Sequence, residues 1–303
     1  MMATVGVLCA RGRVEENALM AALAEAGIVS ALFPPADEPL PVGPMTSSPI
    51  GRPFPVPQIV VDRHPTRQIA RAVLATCGAL GVPVLCAGIA ATGDRLDVAS
   101  ALAAHGLPRP RTALCTSEDA ALEAVAAVEL PATLLPLDLR STPNALIDWD
   151  AAEAVLEHRA VLGGVEGSLG LIQAGSPGLE NLVKVIVVDG TACALEAASA
   201  TTVPDYALRL AEEAARALNA DLVAIIIALG SREPVVWDVR PVPDFRDAMP
   251  ITGLTVAQTI ALAVEHRLAA IAPGLSAERH SAWTGISARG QGLGLRRDLV
   301  ISA

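Results

Sequence analysis

The sequence predicts an α/β chain: a Rossmann-like parallel-sheet unit first, then a small central α+β unit, then a C-terminal α+β unit. Three observations carry that reading. Apolar runs of strand length alternate with segments whose apolar residues recur at helical spacing. An Asp-Gly pair divides the two apolar halves of "NLVKVIVVDGTACALEAAS", a strong signal for a tight hairpin. The 52% apolar content is nearly all aliphatic, with aromatics at 2%, which suits helices layered on sheets through many small contacts.

The elements follow in order. "TVGVLCA" is a strand and "VEENALMAALAEAG" a helix closed by Gly27. Nine prolines between 34 and 57 exclude ladder and helix and predict an extended connection. "QIVVD", "PTRQIARAVLATCGALG" and "VPVLCA" then read strand, helix, strand, so the first sheet is parallel and the first unit is placed at 1–88. The central unit, 89–167, holds helix "GDRLDVASALAAHG", strand "RTALC", a helix starting at Thr116 with Asp119 as its capping-box acid, strand "PATLLPL" and helix "DAAEAVLEHRAVLG". From 168 the pattern turns strand-rich, with "LGLIQAG", the hairpin, helix "PDYALRLAEEAARALNA", strands "DLVAIIIAL" and "EPVVWDV", and helix "TVAQTIALAVEHRLAAIA". This C-terminal unit is placed at 168–270, and 271–303, rich in Gly, Ser and Arg, reads as a tail.

Composition excludes several classes. A formal net charge of −10 without a basic run argues against a nucleic-acid partner. No apolar stretch is long and uninterrupted enough to span a membrane, and no signal peptide is read. Five cysteines without a CxxC pair suit reduced thiols in a cytoplasmic protein. His64, His105, His158, His266 and His280 show no metal-ligand spacing, and no GxSxG marks a hydrolase.

"RGRVEENALMAAL", "VVDRHPTRQIARAVL", "GVPVLCAGIAATGDRLDVASALAAHGLPRPRTAL", "DAAEAVLEHRAVLGG", "KVIVVDG" and "PDFRDAMPITGLTV" are collinear over roughly residues 5 to 265. Together they resemble the ATP-grasp superfamily, on its RimK-type branch. The nearest likeness is to the lysine-biosynthesis (LysX-like) enzyme, which joins an amino acid to the C-terminal glutamate of an acidic carrier protein. The resemblance implies an ATP-grasp fold with a pre-ATP-grasp N-terminal domain, and a ligase that needs ATP and Mg.

The residues at the implied site depart from that pattern. Arg95, in "TGDRL", stands where the family has a lysine; a cation at a helix start opposes the helix dipole, so an external anion is expected beside it. Leu135, in "TLLP", replaces a phosphate-binding lysine, and "LDLRSTPNAL" replaces the glycine-rich phosphate loop. Ala174 replaces the adenine-side acid. Lys184 corresponds to a nucleotide-side arginine, and two readings stand, a retained phosphate contact or a lysine snorkelling from a strand. The family's metal ligands fall on Ile226, Asp238 and Arg240, so one carboxylate survives, next to a guanidinium on the same strand face. A salt bridge between Asp238 and Arg240 is expected in place of a metal, with Glu233, Asp244 and Asp247 as acids available to rebuild one.

Two functions are carried forward. The first is an active ATP- and Mg-dependent carboxylate-amine ligase of amino-acid biosynthesis or protein modification, with Arg95 and Lys184 on phosphates and Asp238 on the metal. The second, preferred because substitutions concentrate at the site while the framework survives, is a non-catalytic relative. It would act as a binding or assembly partner of an acidic carrier protein or an active ATP-grasp paralogue, in a homo- or hetero-oligomer.

Overall fold

The computed structural model describes residues 5–33, 39–40, 56–167, 169–178, 181–197, 203–230 and 233–275. Most of the proline-rich stretch at 34–57, and the tail from residue 276, lie outside them.

The N-terminal unit runs β1 (Val5–Leu8), α1 (Val14–Glu25), β2 (Ser30–Phe33), β3 (Ile59–Asp62), α2 (Arg67–Ala79) and β4 (Val84–Leu85), all strands parallel in the order β2-β1-β3-β4. β1 and β3 are buried on both faces, which is why they read as unbroken apolar runs. β2 is a short edge strand with Ala31 and Leu32 exposed, and its "SALF" carries no alternation to read. The chain leaves β1 toward β2 and later returns to β1's other side with β3. The strand order therefore reverses between β1 and β3, where open α/β sheets form their ligand crevice.

A 3₁₀ turn (Gly88–Thr92) leads to α3 (Arg95–Ala104), whose first turn is capped by the Asp94 carboxylate accepting from the Leu96 amide at 2.7 Å. The central unit follows with β5 (Thr112–Cys115), α4 (Glu118–Val128), β6 (Ala132–Pro136), β7 (Asn144–Leu146), α5 (Trp149–Gly167) and β8 (Gly170–Ala174). Its sheet is antiparallel, ordered β5-β8-β6-β7. Three details differ from expectation. The α4 cap is Ser117, whose hydroxyl accepts from the Ala120 amide, and not Thr116. "LDLRSTPNAL" contains strand β7. And "LGLIQAG", read as opening the C-terminal unit, supplies β8, the second strand of the central sheet. Its hydrogen-bond partners β5 and β6 decide that, and no local pattern encodes a partner.

The C-terminal unit comprises β9 (Leu182–Val188), β10 (Thr191–Ala197), α6 (Asp205–Ala217), β11 (Leu222–Ala228), β12 (Val235–Arg240), β13 (Met249–Pro250) and α7 (Val256–Leu275), with sheet order β12-β11-β9-β10-β13. The β9–β10 turn is Asp189-Gly190 with φ of 48° and 77°, the two positive angles a type I′ hairpin needs. α7 runs five residues past 270. One face of this sheet packs Val185, Val187, Ile225 and Ile227 against α3 and α6. The other packs Ile186, Val188, Leu222 and Ala224 against α1, α7 and the apolar residues of β1 and β3. The C-terminal sheet is thus the middle layer, and the N-terminal sheet is fixed to it through a shared core. Among the described residues no helix is long and apolar enough to cross a membrane.

Candidate functional site

Arg95 opens α3 and is 2% exposed. Its Nε and Nη2 donate to the two oxygens of Asp238, both at 3.1 Å. Nη1 donates to the carbonyls of Pro136 (2.6 Å) and Asp138 (2.7 Å), and Nη2 to those of Ser141 (2.9 Å) and Leu139 (3.4 Å). Guanidinium has five N–H groups in a planar fork, and all three nitrogens are engaged by the protein. The external anion expected beside Arg95 is replaced by an internal carboxylate and a ring of carbonyls.

Asp238 is shared. Its Oδ2 lies 3.1 Å from Arg240 Nη1 as well, and its Oδ1 accepts from the Val239 amide at 2.9 Å. The Arg240 bridge is present, but Arg95 is the bidentate and more deeply buried partner. A bulge in the β11–β12 ladder leaves Asp238 opposite Ile226, Ile226 opposite Lys184, and Lys184 opposite Glu196. This row crosses four strands on one face. Lys184 pairs with Glu196 and donates to the Asp244 carbonyl at 2.9 Å, so its charge is held within the row. Magnesium needs an octahedral shell of oxygens, and here the single carboxylate faces two fixed cations beside an aliphatic Ile226. The residues present do not fit the metal.

The gap between the central and C-terminal sheets is equally closed. Arg95, Leu135, Gln173, Trp237 and Asp238 line a space of about 30 Å³, against the roughly 300 Å³ or more of an ordinary ligand pocket. Leu135 is buried there at 3% exposure. Gln173 donates to the Trp237 carbonyl at 3.3 Å, joining the two sheets. Ala174, at the end of β8, donates its amide to the Arg111 carbonyl at 2.9 Å. In this arrangement that space is too small for a nucleoside triphosphate, and the carbonyls around Arg95 would repel its phosphates.

An open pocket of about 450 Å³ lies next to it, where the three units meet. It is lined by Arg13, Arg63, Arg67, Arg140 and Arg240 against two acids, Glu15 and Asp244. Arg13 follows β1, while Arg63 and Arg67 follow β3, so the pocket occupies the reversal point of the parallel sheet. Burial pushes the Arg63 guanidinium down from its ordinary pKa, against the opposing pull of Glu16. Arg63 also donates to the Pro243 carbonyl at 2.5 Å and lies 4.9 Å from the centre of the Phe245 ring. Arg67 forms a bidentate pair with Asp62, at 2.6 and 3.3 Å. Arg13, Arg140 and Arg240 are only partly covered, with side chains 43%, 51% and 33% exposed. A hydrogen bond shared with the Glu15 carboxyl holds Asp244 below its ordinary value. Of this set the sequence reading singled out only Arg240 and Asp244. "RGR" and "DRHPTR" were the available signals, and their convergence needed the fold.

Among the described residues no three His, Cys, Asp or Glu side chains come together as a ligand set, so Glu233, Asp244 and Asp247 do not rebuild a metal site. Glu233 lines a separate groove with Tyr206 and Pro108.

Comparison with solved structures places this architecture. A RimK-domain ATP-grasp protein from Sphaerobacter thermophilus is 27% identical, with a TM-score of 0.69, over 86% of this chain and 98% of that one. PsnB, an ATP-grasp ligase solved with a precursor peptide and AMPPNP, is 15% identical with a TM-score of 0.63, over 88% and 97%. D-alanine–D-alanine ligase from Bacillus anthracis, complexed with ATP, is 14% identical with a TM-score of 0.62, again over 88% and 97%. No family model matches the chain. The last two likenesses concern the fold alone; the first, at 27% identity, also supports a relation to the ATP-grasp superfamily on its RimK-type side.

Proposed function

We propose that this chain is a non-catalytic ATP-grasp protein that serves as a binding partner, its arginine-lined pocket receiving the acidic C-terminus of a carrier protein. One observation carries the first half: Asp238, the one carboxylate among the metal positions the resemblance implies, is paired with both Arg95 and Arg240. Without a metal bridging the phosphates, the electrostatic stabilisation on which phosphoryl transfer depends has no source. The second half is supported by the pocket's five lining guanidiniums: each already pairs with a carboxylate of the protein, but Arg13, Arg140 and Arg240 keep part of their side chains exposed, and planar guanidinium forks favour carboxylate ligands. The alternative, an active ligase of the LysX-like type in lysine biosynthesis, draws on the near-complete overlap with the RimK-domain protein. It requires the Arg95 cluster to dissolve when Mg-ATP arrives.

Calorimetry separates the two. The purified protein should give no heat with Mg-ATP, and micromolar binding would overturn the non-catalytic reading. A labelled acidic peptide ending in glutamate should bind with an affinity that falls as salt rises and weakens in Arg140→Ser. Co-purification with a ligase paralogue tests the assembly role.

A further inference from the structure

We infer that the Arg95 side chain is a built-in latch: it clamps the 136–141 loop onto β12 and so keeps the arginine-lined pocket assembled with no ligand bound. This rests on the reading of that pocket as the binding site, and deepens it.

The latch joins two parts of the fold. α3 packs through Val98 and Leu102 into the core shared by α6 and the C-terminal sheet. Residues 136–141 are the last residue of β6 and most of its connection to β7 in the central sheet. Arg95 spans both, with four carbonyls from the loop and one carboxylate from β12 around its fork. The backbone repeats the link. The Arg95 amide donates to the Leu137 carbonyl at 2.7 Å, and the Leu139 amide to the Gly93 carbonyl at 2.9 Å. Arg240 Nη1 adds a 2.7 Å bond to the Leu139 carbonyl, and the Leu139 side chain is buried at 1% exposure in the same core as Val98 and Val239.

The loop's polarity is informative. It turns carbonyls toward the cleft, where a phosphate-binding loop turns amides. Such a ring suits a cation, and guanidinium, planar and weakly hydrated, is the side chain best able to be buried there. Arg95 therefore supplies from within the charge that would otherwise have to arrive with a ligand. The consequence for the pocket is direct, because Leu139 and Arg140 of the clamped loop form one of its walls and Arg240 of β12 another. Arg95 is accordingly a positioning residue, acting on the pocket through the loop.

Amide hydrogen exchange followed by mass spectrometry tests this. In the wild-type protein without ligand, residues 137–141 should be protected as strongly as the strands of the central sheet. Arg95→Ala should speed their exchange at least tenfold, leave β1, β3 and α6 unchanged, and weaken binding of the acidic peptide in parallel. Adding methylguanidinium to Arg95→Ala should restore both, which a merely destabilised protein would not show. Arg95→Lys, whose ammonium cannot span the same oxygens, should fall between. If Arg95→Ala does not fold, the wild-type exchange pattern and Arg95→Lys still decide. A wild-type loop that exchanges like an unprotected peptide overturns the latch, as does Arg95→Ala exchange equal to wild type. Peptide binding unchanged in an Arg95→Ala whose loop has opened overturns the positioning role. Failure of the wild type to bind the peptide, with Arg95-dependent protection intact, overturns the pocket's assigned ligand and leaves the latch standing.

Discussion

Replacing Asp238 with asparagine removes the one anion that two guanidiniums share, and the size of the stability change discriminates between the readings of this site. In the wild type each Asp238 oxygen accepts an Arg95 N–H at 3.1 Å, Oδ1 adds the Val239 amide, and Oδ2 lies against Arg240. Asparagine keeps the volume and one acceptor but turns an NH₂ toward N–H donors. Breaking a buried ion pair by removing one partner costs about 3–5 kcal/mol. The four carbonyls that remain on Arg95 place the expectation at the lower end, about 3 kcal/mol. At roughly 2–4 °C per kcal/mol for chains of this order of size, the melting temperature should fall by about 6–12 °C. Urea unfolding should show a lower midpoint with an unchanged slope. Glu196→Gln, at the more exposed end of the same row, is the control and should cost under about 1 kcal/mol. A carboxylate held open for a metal, without these pairings, would lose little stability when its charge is removed. An Asp238→Asn protein as stable as wild type or more so, or a wild type whose melting temperature rises with millimolar magnesium, refutes the argument.

Three further outcomes are expected. Burial pushes the Cys77 and Cys193 thiols up to about 11 from an ordinary 9.0, so their native thiolate fraction is lower by about 100-fold; a chromogenic disulfide at pH 8 should label them only on unfolding, and rapid native labelling at either counts against the burial. Burial opposes ionisation of Glu16, but the hydrogen bond from Arg13 and the charge of Arg63 outweigh it and hold the carboxyl below its ordinary 4.5. Stability from Glu16 is therefore present above that value and lost as pH falls through the folded pKa; Glu16→Gln should flatten the acid limb of the stability profile, and an unaltered limb counts against the pairing. Gly88 has φ of +54°, and a Cβ there would lie 2.1 Å from the Leu218 carbonyl oxygen; Gly88→Ala should cost about 3 kcal/mol or more, measured by urea unfolding, and a variant of wild-type stability would show that this junction yields.

The α/β class, the parallel pairing of β1, β3 and β4 and the Asp189-Gly190 hairpin were legible in the sequence, because apolar period and turn chemistry act within a few residues. The resemblance also marks Leu135, Ala174, Ile226 and Arg240 as departures from the pattern it implies, each a change of side-chain type. What the sequence by itself determined was therefore a framework. The tertiary structure alone decided where the remaining charges went. Pairing β8 with β5 and β6 moved a strand into the central sheet, and folding brought Arg95 to Asp238 across 143 residues. The reason is electrostatic. A buried guanidinium must find oxygens somewhere, and which oxygens lie within 3 Å of it is fixed only when separate sheets close on one another.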